Sequence, residues 1–371
     1  MAKDKKILHI YYLEGNLGDA IRISEMKKWL SFNFDYEKLN IADYKKKFMV
    51  LSNLSIIIKS FLRGESLQII KSRLFINHCK AIIKKKLKKG KYNFIISEMI
   101  PIGLAVIQAN PGAKKIVDVH GLMAAEYNEN KYHKRNRKQY QYLLKIEKEV
   151  FLKSDILICV SKRMRKYIKK TYKTKAKIIV AQNGTSTTSK KATHNYPLKI
   201  IYGGIFAFWE DIDTFLDLAK KDTKNKYYLM GDGPEKERIL SRINKEKIKL
   251  KYLGKKKRKE AHKIFSEMSV GLSPTSIGLT RRVASPIKIY DYMSLGLPVV
   301  TAHCGDWGEQ ILKFNAGFVC EKSHWHDFLK AIKKLEKEST WYIKSKGAIS
   351  LAQKKSWNNI FNEKLSLLSK L

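Results

Sequence analysis

The stretch SPIKIYDYMSLGLPVV, residues 285–300, decides the fold, because a capped helix in it runs directly into a strand. Ser285 is a good helix N-cap, Pro286 suits the first helical position, and Gly296 ends the helix. The apolar run from Pro298 then predicts a buried strand. A helix that leads straight into such a strand is typical of a parallel α/β sheet.

The first turn of this helix is predicted to bind an anion. Backbone N–H groups and the positive end of the helix dipole lie at a helix N-terminus. Lys288 falls in the first turn, where a cation is unfavourable unless a ligand phosphate compensates it. Asp291 lies one turn further on the same face, within reach of a ribose diol. The alternative interpretation is a capped helix with a purely structural role.

Strand-like and helical patterns alternate on both sides of this stretch, which predicts two α/β domains with parallel sheets. The predicted strands are Ile7–Tyr12, Phe94–Ser97, Lys115–Val119, Ile156–Val160, Lys177–Ala181, Lys199–Tyr202, Tyr227–Met230, Lys249–Leu253, Val270–Ser273, Pro298–Ala302 and Gly317–Cys320. Helical patterns lie between them, among them Ala20–Leu30 and a long charged helix over Glu126–Lys153.

The domain boundary is predicted at Asn183–Pro197, a segment rich in Thr, Ser, Gly and Lys. We therefore expect an N-terminal Rossmann-like domain over residues 1–190 and a C-terminal one over residues 197–355, facing each other across a cleft. Residues 356–371 contain an amphipathic helix, Trp357–Leu371, that we expect to pack back toward the N-terminal domain.

Composition and charge exclude several classes of protein. The chain has 371 residues and a net charge of +41, which implies contact with an anionic partner; a general bias toward lysine is the alternative explanation. Its four cysteines (Cys79, Cys159, Cys304, Cys320) form no CxxC pair, which argues against a zinc site or a disulfide framework. No apolar run reaches the ~20 residues that span a bilayer. We expect a cytoplasmic protein that can lie peripherally on the cytoplasmic membrane face.

The positive charge is concentrated in residues 45–91, which hold 14 Lys or Arg against one acidic residue, Glu65. Apolar residues at helical spacing between Leu54 and Leu62 predict a basic amphipathic helix. Such a helix can lie in the interface of an anionic membrane. An ordinary core helix with a solvated basic face explains the pattern equally well. We do not expect a nucleic-acid partner, because the segment lacks the interleaved aromatic residues of a binding module.

Several stretches, in the right order, resemble the retaining GT-B glycosyltransferases known as family 4 or glycosyl transferases group 1. Residues 285–300 are similar to the P-x-K-x-x-E-Y-M-x-x-G-x-P-V-V pattern of that family. Further resemblances cover nearly the whole chain: MGDGPE at 230–235, YLG at 252–254, VAQNGT at 180–185, DILICVS at 155–161, DVHG at 118–121 and SWN at 356–358.

The resemblance implies a C-terminal domain that binds a UDP- or GDP-linked sugar. Lys288 would hold the diphosphate, Asp291 would bind the ribose and His120 would contact the transferred sugar. The other residues that it implies at the donor are Gly15, Gly18, Gly204, Gly231, Gly233 and Ser285. It also implies no cofactor and no metal, transfer with retention of the anomeric configuration, and a glycan or lipid-linked acceptor in cell-surface polysaccharide or glycoconjugate assembly.

Two positions depart from the family pattern. Val283 stands where the family has a Glu, eight residues before Asp291. The loop after the first strand of the C-terminal domain has Glu210 and lacks the Arg and Lys that the family often carries there. Arg281 and Arg282 are the candidates to supply the missing positive charge.

Other functions stay open at the level of sequence. A GT-B relative could have lost catalysis or could be an epimerase, although an epimerase needs further carboxylates and histidines beside His120. A protein that binds membranes or nucleic acid through charge alone would explain the +41 net charge but not the ordered α/β motifs.

Overall fold

The computed structural model describes residues 2–13, 18–47, 54–131, 136–186, 191–302 and 305–370. The chain divides into two compact units. One comprises Met1–Gln182 with Phe361–Leu371, and the other comprises Asn183–Ile360. Each unit contains a parallel six-stranded sheet with helices between its strands, which confirms the predicted fold class of two Rossmann-like domains.

The sheet of the N-terminal unit has the strand order β2-β1-β3-β4-β5-β6, and all neighbouring strands pair in parallel. Its strands are β1 Ala2–Tyr11, β2 Phe34–Asn40, β3 Phe94–Glu98, β4 Lys114–Val119, β5 Ile156–Cys159 and β6 Lys177–Val180. Its helices are α1 Gly18–Asn33, a 3-10 helix Ile41–Lys47, α2 Leu54–Leu62, α3 Leu67–Leu87, α4 Ile100–Ala109, α5 Met123–Glu129, α6 Arg137–Lys153 and α7 Lys162–Tyr172.

The sheet of the C-terminal unit has the order β12-β11-β10-β7-β8-β9, again entirely parallel. Its strands are β7 Lys199–Ile205, β8 Lys226–Asp232, β9 Lys251–Tyr252, β10 Val270–Ser273, β11 Val299–Ala302 and β12 Gly317–Cys320. Its helices are α8 Ile212–Lys221, α9 Lys236–Lys245, α10 Arg258–Phe265, α11 Leu279–Arg282, α12 Ile287–Ser294, α13 Asp306–Lys313, α14 Trp325–Leu335 and α15 Glu338–Lys354. The last helix, α16 Trp357–Leu365, crosses the division between the units.

The central strands are apolar because helices leave no face of them in water. All five residues of β3 are buried, and so are all four of β5, β10 and β11. Every predicted strand coincides with or overlaps an observed one, because a continuous apolar run is the pattern that a buried parallel strand requires.

The prediction of one long charged helix over Glu126–Lys153 is wrong. The structure has two helices there, α5 and α6, with residues 132–135 outside the described part of the chain. Asn130 ends α5 with an extended backbone. The side chain of Asn136 caps α6 by accepting the backbone N–H of Gln139, so the second helix starts from its own N-cap.

Strand β2 was not predicted. It lies at the edge of the sheet, and only Phe34 and Leu39 of its seven residues are buried. A strand with so little apolar alternation gives no period-two pattern to recognise.

The C-terminal amphipathic helix is shorter than the predicted Trp357–Leu371. It ends at Leu365, and a 3-10 helix follows over Ser366–Lys370. Trp357, Phe361 and Leu365 are buried, as the amphipathic pattern predicted.

Three of the four cysteines, Cys79, Cys159 and Cys320, are free and buried, and Cys304 lies outside the described residues. Burial raises the pKa of the Cys79 and Cys320 thiols to about 12. Within the described residues, no helix combines the length and the apolar composition that crossing a bilayer requires.

The close pairing of β7 and β8 depends on a glycine at position 231. Gly231 has φ of +149°, and a Cβ atom there would lie 1.8 Å from the carbonyl oxygen of Gly204 on the neighbouring strand. We predict that Gly231→Ala lowers the free energy of unfolding of the C-terminal unit by about 3 kcal/mol or more, because the backbone must move to admit the methyl group. Denaturant unfolding of the full chain measures this change.

Gly308→Ala is the matched control in the same unit. Gly308 lies in α13, and its nearest contact for a Cβ atom is Val319 Cγ1 at an ordinary 3.6 Å. This variant should be as stable as the wild type or slightly more so, since alanine favours the helix. Equal unfolding midpoints for the two variants would contradict the steric argument.

Candidate functional site

The predicted anion site lies at the start of α12, and its cap differs from the prediction. The helix begins at Ile287, so Pro286 occupies the N-cap position with φ −69° and ψ 118°. Ser285 is therefore not the N-cap. Its hydroxyl oxygen instead accepts the backbone N–H of Asn183 at 3.1 Å, and Asn183 donates its side-chain amide back to the Ser285 carbonyl. Ser285 thus ties the first residues of the C-terminal unit to the start of α12.

Lys288, in the first turn of α12, is held by a buried carboxylate. Its Nζ donates to Glu210 Oε2 at 2.7 Å and to the Tyr202 hydroxyl at 3.0 Å. Only 11% of the Lys288 side chain and 2% of the Glu210 side chain are exposed. Burial lowers the pKa of Lys288 to about 8, although the carboxylate of Glu210 opposes this shift.

Arg281 reaches the same carboxylate. Its Nη1 lies 3.4 Å from Glu210 Oε1, and its Nε donates to Thr275 Oγ1 at 2.9 Å. Burial favours the neutral form of Glu210, but Arg281 and Lys288 outweigh it and hold the pKa of this carboxyl below its usual range. Arg281 therefore joins Lys288, as the sequence suggested, whereas the side chain of Arg282 is exposed. Two cations and one carboxylate leave this buried cluster with a net positive charge.

Asp291, one turn after Lys288, is buried and held in place by three side chains. Its Oδ1 accepts from Thr185 Oγ1 and from Arg258 Nη2, each at 2.8 Å, and lies 3.4 Å from His262 Nε2. Burial favours its neutral form, but His262 and Arg258 lower the pKa of the carboxyl. Among the described residues, the polar contacts of this carboxylate all go to Oδ1.

The predicted glycines of the C-terminal unit bring β7 and the turn after β8 close to this cluster. A Cβ atom at Gly204 would lie 2.9 Å from Lys288 Nζ, and one at Gly233 would lie 2.5 Å from the Phe206 carbonyl oxygen. Together with Gly231, they allow the backbone to approach where a side chain would not fit. Of the two glycines predicted in the first loop, Gly15 lies outside the described residues and Gly18 is the first residue of α1.

In the N-terminal unit, His120 follows β4 and lies against the last residue of β3. Its Nε2 is 2.7 Å from Glu98 Oε2 and 3.5 Å from Asp118 Oδ2, and its Nδ1 is 3.3 Å from Asp19 Oδ1. Burial opposes the charged ring, but these three carboxylates raise the pKa of His120 well above its ordinary value. The three carboxylates therefore favour the protonated form of the His120 ring.

Glu98 and Asp118 have further partners that the sequence did not reveal. His9 of β1 is buried, with its Nε2 2.6 Å from Glu98 Oε1. Arg22 binds both oxygens of Asp118, through Nε at 2.7 Å and Nη2 at 2.9 Å. Arg22 is 1% exposed, so this is a buried bidentate ion pair.

One group among the described residues has the composition of a metal site, namely Glu98, Asp118 and His120, with ligand atoms within 4.8 Å of one another. Arg22 occupies both oxygens of Asp118, and two histidines bind the two oxygens of Glu98. The carboxylates are thus already matched with cationic partners, and we assign no metal here.

The residues missed by sequence reasoning share one property: their partners are far away along the chain. Thr185 and Asp291 are 106 positions apart, and His9 and Glu98 are 89 apart. Thr185 stood inside the quoted VAQNGT stretch, and Arg258 and His262 share one face of α10 at i, i+4 spacing. No local pattern, however, indicates which carboxylate they bind.

Two family models match adjoining parts of the chain. The model described as glycosyl transferases group 1 matches residues 186–354, and the model described as glycosyltransferase family 4 matches residues 61–189. Together they cover most of both units. No curated protein matches the chain in sequence.

Solved structures of glycosyltransferases share the fold along the full chain. Sucrose-phosphate synthase from Thermosynechococcus elongatus has a TM-score of 0.76 at 13% identity, over 99% of this chain and 98% of that chain. HepE from Anabaena, in complex with UDP-glucose, has a TM-score of 0.70 at 12% identity, over 99% and 100%. The lipopolysaccharide outer core galactosyltransferase WaaB, in its apo form, has 0.67 at 14%, over 99% and 100%.

The order of the motifs, the two parallel sheets and the two family models agree. The chain belongs to the GT-B glycosyltransferases of the family 4 and group 1 type.

Proposed function

We propose that the chain is a retaining, metal-independent glycosyltransferase that uses a UDP- or GDP-linked sugar. The observation that carries the donor assignment is the buried cluster of Lys288, Arg281 and Glu210 at the first turn of α12. A diphosphate would compete with Glu210 for the two cations and would also accept from the N–H groups of the helix N-terminus. These groups would stabilise the leaving phosphate without a divalent ion.

In this proposal, Asp291 binds the ribose diol through Oδ2, because Thr185 and Arg258 hold its other oxygen. His120 contacts the transferred sugar as an imidazolium. HepE was solved with UDP-glucose and TarM of S. aureus with UDP, which supports a uridine nucleotide as the first donor to test. The acceptor that we propose is a glycan or a lipid-linked glycan of cell-surface polysaccharide or glycoconjugate assembly, at the cytoplasmic face of the membrane.

The donor assignment predicts nucleotide binding that depends on α12. Calorimetry with UDP, GDP and ADP should show preference for one nucleotide. Lys288→Ala should weaken its binding by about 10- to 100-fold, the usual effect of losing a charge-assisted contact. Asp291→Asn should weaken binding to a smaller extent, because the amide can still contact a diol.

Lys313→Ala controls for the loss of one positive charge, since Lys313 is exposed at the end of α13. It should bind nucleotide like the wild type. If the wild type binds no nucleotide, or if Lys288→Ala binds as tightly as Lys313→Ala, the donor assignment is wrong. With a donor and acceptor in hand, the anomeric coupling in the NMR spectrum of the product tests retention.

The buried position of Lys288 predicts a pH dependence for this binding. With a pKa of about 8, Lys288 is charged below that pH and loses its proton above it. The affinity for the nucleotide diphosphate should therefore fall by about twofold from pH 7 to 8 and then by up to about tenfold per pH unit. Titration calorimetry between pH 7 and 9.5 measures the curve. Lys288→Ala should lack this fall, and a wild-type affinity that is flat to pH 9.5 would contradict the assignment.

We also propose that the enzyme attaches to an anionic membrane through the α2 patch, which we define as Ile57, Ile58, Phe61, Leu62 and Leu67. These side chains are 38%, 49%, 80%, 79% and 60% exposed. So many exposed large apolar side chains within eleven positions are unusual on a protein that contacts only water.

Several cations lie near the α2 patch. Lys59 and Arg63 belong to the same segment, and with Arg73 and Lys145 they line an adjoining cavity of about 310 Å³. An apolar surface beside clustered cations matches the chemistry of an anionic bilayer, where acyl chains and negatively charged headgroups lie together.

Vesicle co-sedimentation tests the α2 patch. The wild type should bind vesicles that contain phosphatidylglycerol, bind pure phosphatidylcholine vesicles weakly, and be released by salt. Replacing both Phe61 and Leu62 with Ser should weaken binding at least tenfold, because each apolar side chain contributes about 1.5–3 kcal/mol when buried. Phe32→Ser is the control, since Phe32 is 75% exposed on α1, outside the patch. Equal binding by all three proteins would overturn the membrane proposal.

A further inference from the structure

Glu98 is a buried carboxylate with no role in the function proposed above. It is the last residue of β3 and is 0% exposed. In the sheet, β3 lies between β1 and β4, and His9 of β1 and His120 after β4 bind its two oxygens at 2.6 and 2.7 Å. One carboxylate therefore joins two histidines that are more than a hundred positions apart in the chain.

The hydrogen-bonding capacities of these groups fix where the protons lie. An ionised carboxylate only accepts, so each histidine must carry a proton on the Nε2 that faces Glu98. The Nδ1 of His9 lies 3.3 Å from the hydroxyl of Tyr36, which can either donate or accept a hydrogen bond. The Nδ1 of His120 instead faces Asp19 Oδ1 at 3.3 Å, and a proton there is the favourable arrangement. The geometry thus favours a proton on each ring nitrogen of His120.

The charged groups around His120 come from every element packed on it. Asp19 and Arg22 belong to α1, Asp118 to β4, and Glu126 to α5. The remaining groups are Glu98 of β3 and His9 of β1. Arg22 neutralises Asp118 through its two bonds. Burial raises the pKa of Glu126 to about 7, with Asp19 adding to the shift, so this group is only partly ionised at neutral pH. Asp19, Glu98 and Asp118, the last of which is shared with Arg22, are the anions that balance the His120 charge.

We propose that Glu98 is a positioning residue for His120: shared between two histidines, its carboxylate fixes the orientation of the His120 ring and keeps this ring an imidazolium. The proposal rests on the proposed function in one respect, which is that His120 contacts the transferred sugar. A ring whose orientation and charge are fixed before the donor binds costs no reorganisation during transfer.

Glu98→Gln tests this role, because an amide offers one acceptor where the carboxylate offers two. One of the two histidines must then rotate away from residue 98 or move its proton to the other ring nitrogen. His120 also loses the carboxylate nearest to it. NMR titration of histidine-labelled protein, with the His120 signal assigned from a His120→Gln variant, should show a charged His120 in the wild type from pH 5.5 to 8. In Glu98→Gln its pKa should fall by at least about one unit, and kcat should fall while KM for the donor changes little.

Two further variants separate positioning from a general loss of structure. Glu147→Gln alters another buried carboxylate of the same unit, whose partners are the Ala124 N–H and the Tyr172 hydroxyl, so it should leave the His120 titration unchanged. Glu98→Asp keeps the charge but shortens the side chain. His120 should stay charged in this variant, with a kcat between those of the wild type and Glu98→Gln. The aspartate also provides the test if the glutamine variant does not fold.

An unchanged His120 titration in Glu98→Gln would overturn the proposal. A shifted titration with unchanged kcat at every pH would overturn it as well, because the charge of His120 would then have no effect on transfer. If the wild type transfers no sugar from any nucleotide, the proposed function fails. The NMR titration still decides whether Glu98 controls the charge of His120.

Discussion

A charge that is removed from water must lie beside an opposite charge, and this requirement organises both units. In the C-terminal unit, Lys288 and Arg281 share Glu210. In the N-terminal unit, Arg22 binds Asp118, and Glu98 lies between two histidines. Breaking one such pair by removing one partner typically costs about 3–5 kcal/mol. Within the N-terminal unit these pairs hold the ends of β3 and β4 in place, and within the C-terminal unit they hold the loop after β7 in place.

The same requirement suggests how this chain departs from its family. Val283 is 2% exposed and offers no charge where the family has a Glu. Two positions earlier, Arg281 turns to Glu210, a carboxylate from the loop after β7. In the function that we propose, a donor phosphate has to compete with Glu210 for Lys288 and Arg281. The affinity for nucleotide therefore reflects how much more strongly these two cations bind the phosphate than they bind Glu210.

The sequence predicted those features that local patterns determine. The apolar runs of buried parallel strands located the strands, and the motif around Lys288 and Asp291 located α12 and the side chains on one face of it. The polar edge strand β2 was missed because it lacks alternation, and α5 and α6 were merged because their charged surfaces look continuous. The partners Glu98, Arg22 and Thr185 were missed because the sheet topology brings together residues that are distant along the chain.

The three buried cysteines can serve as chemical probes of local unfolding in each unit. Cys79 and Cys159 lie in the N-terminal unit and Cys320 in the C-terminal unit. A thiol reacts as its thiolate, and burial suppresses that form, so alkylation of these positions requires local or global unfolding. In a chain with Cys304 replaced by Ser, the labelling rates of the three sites would report separately how often each Rossmann-like unit opens.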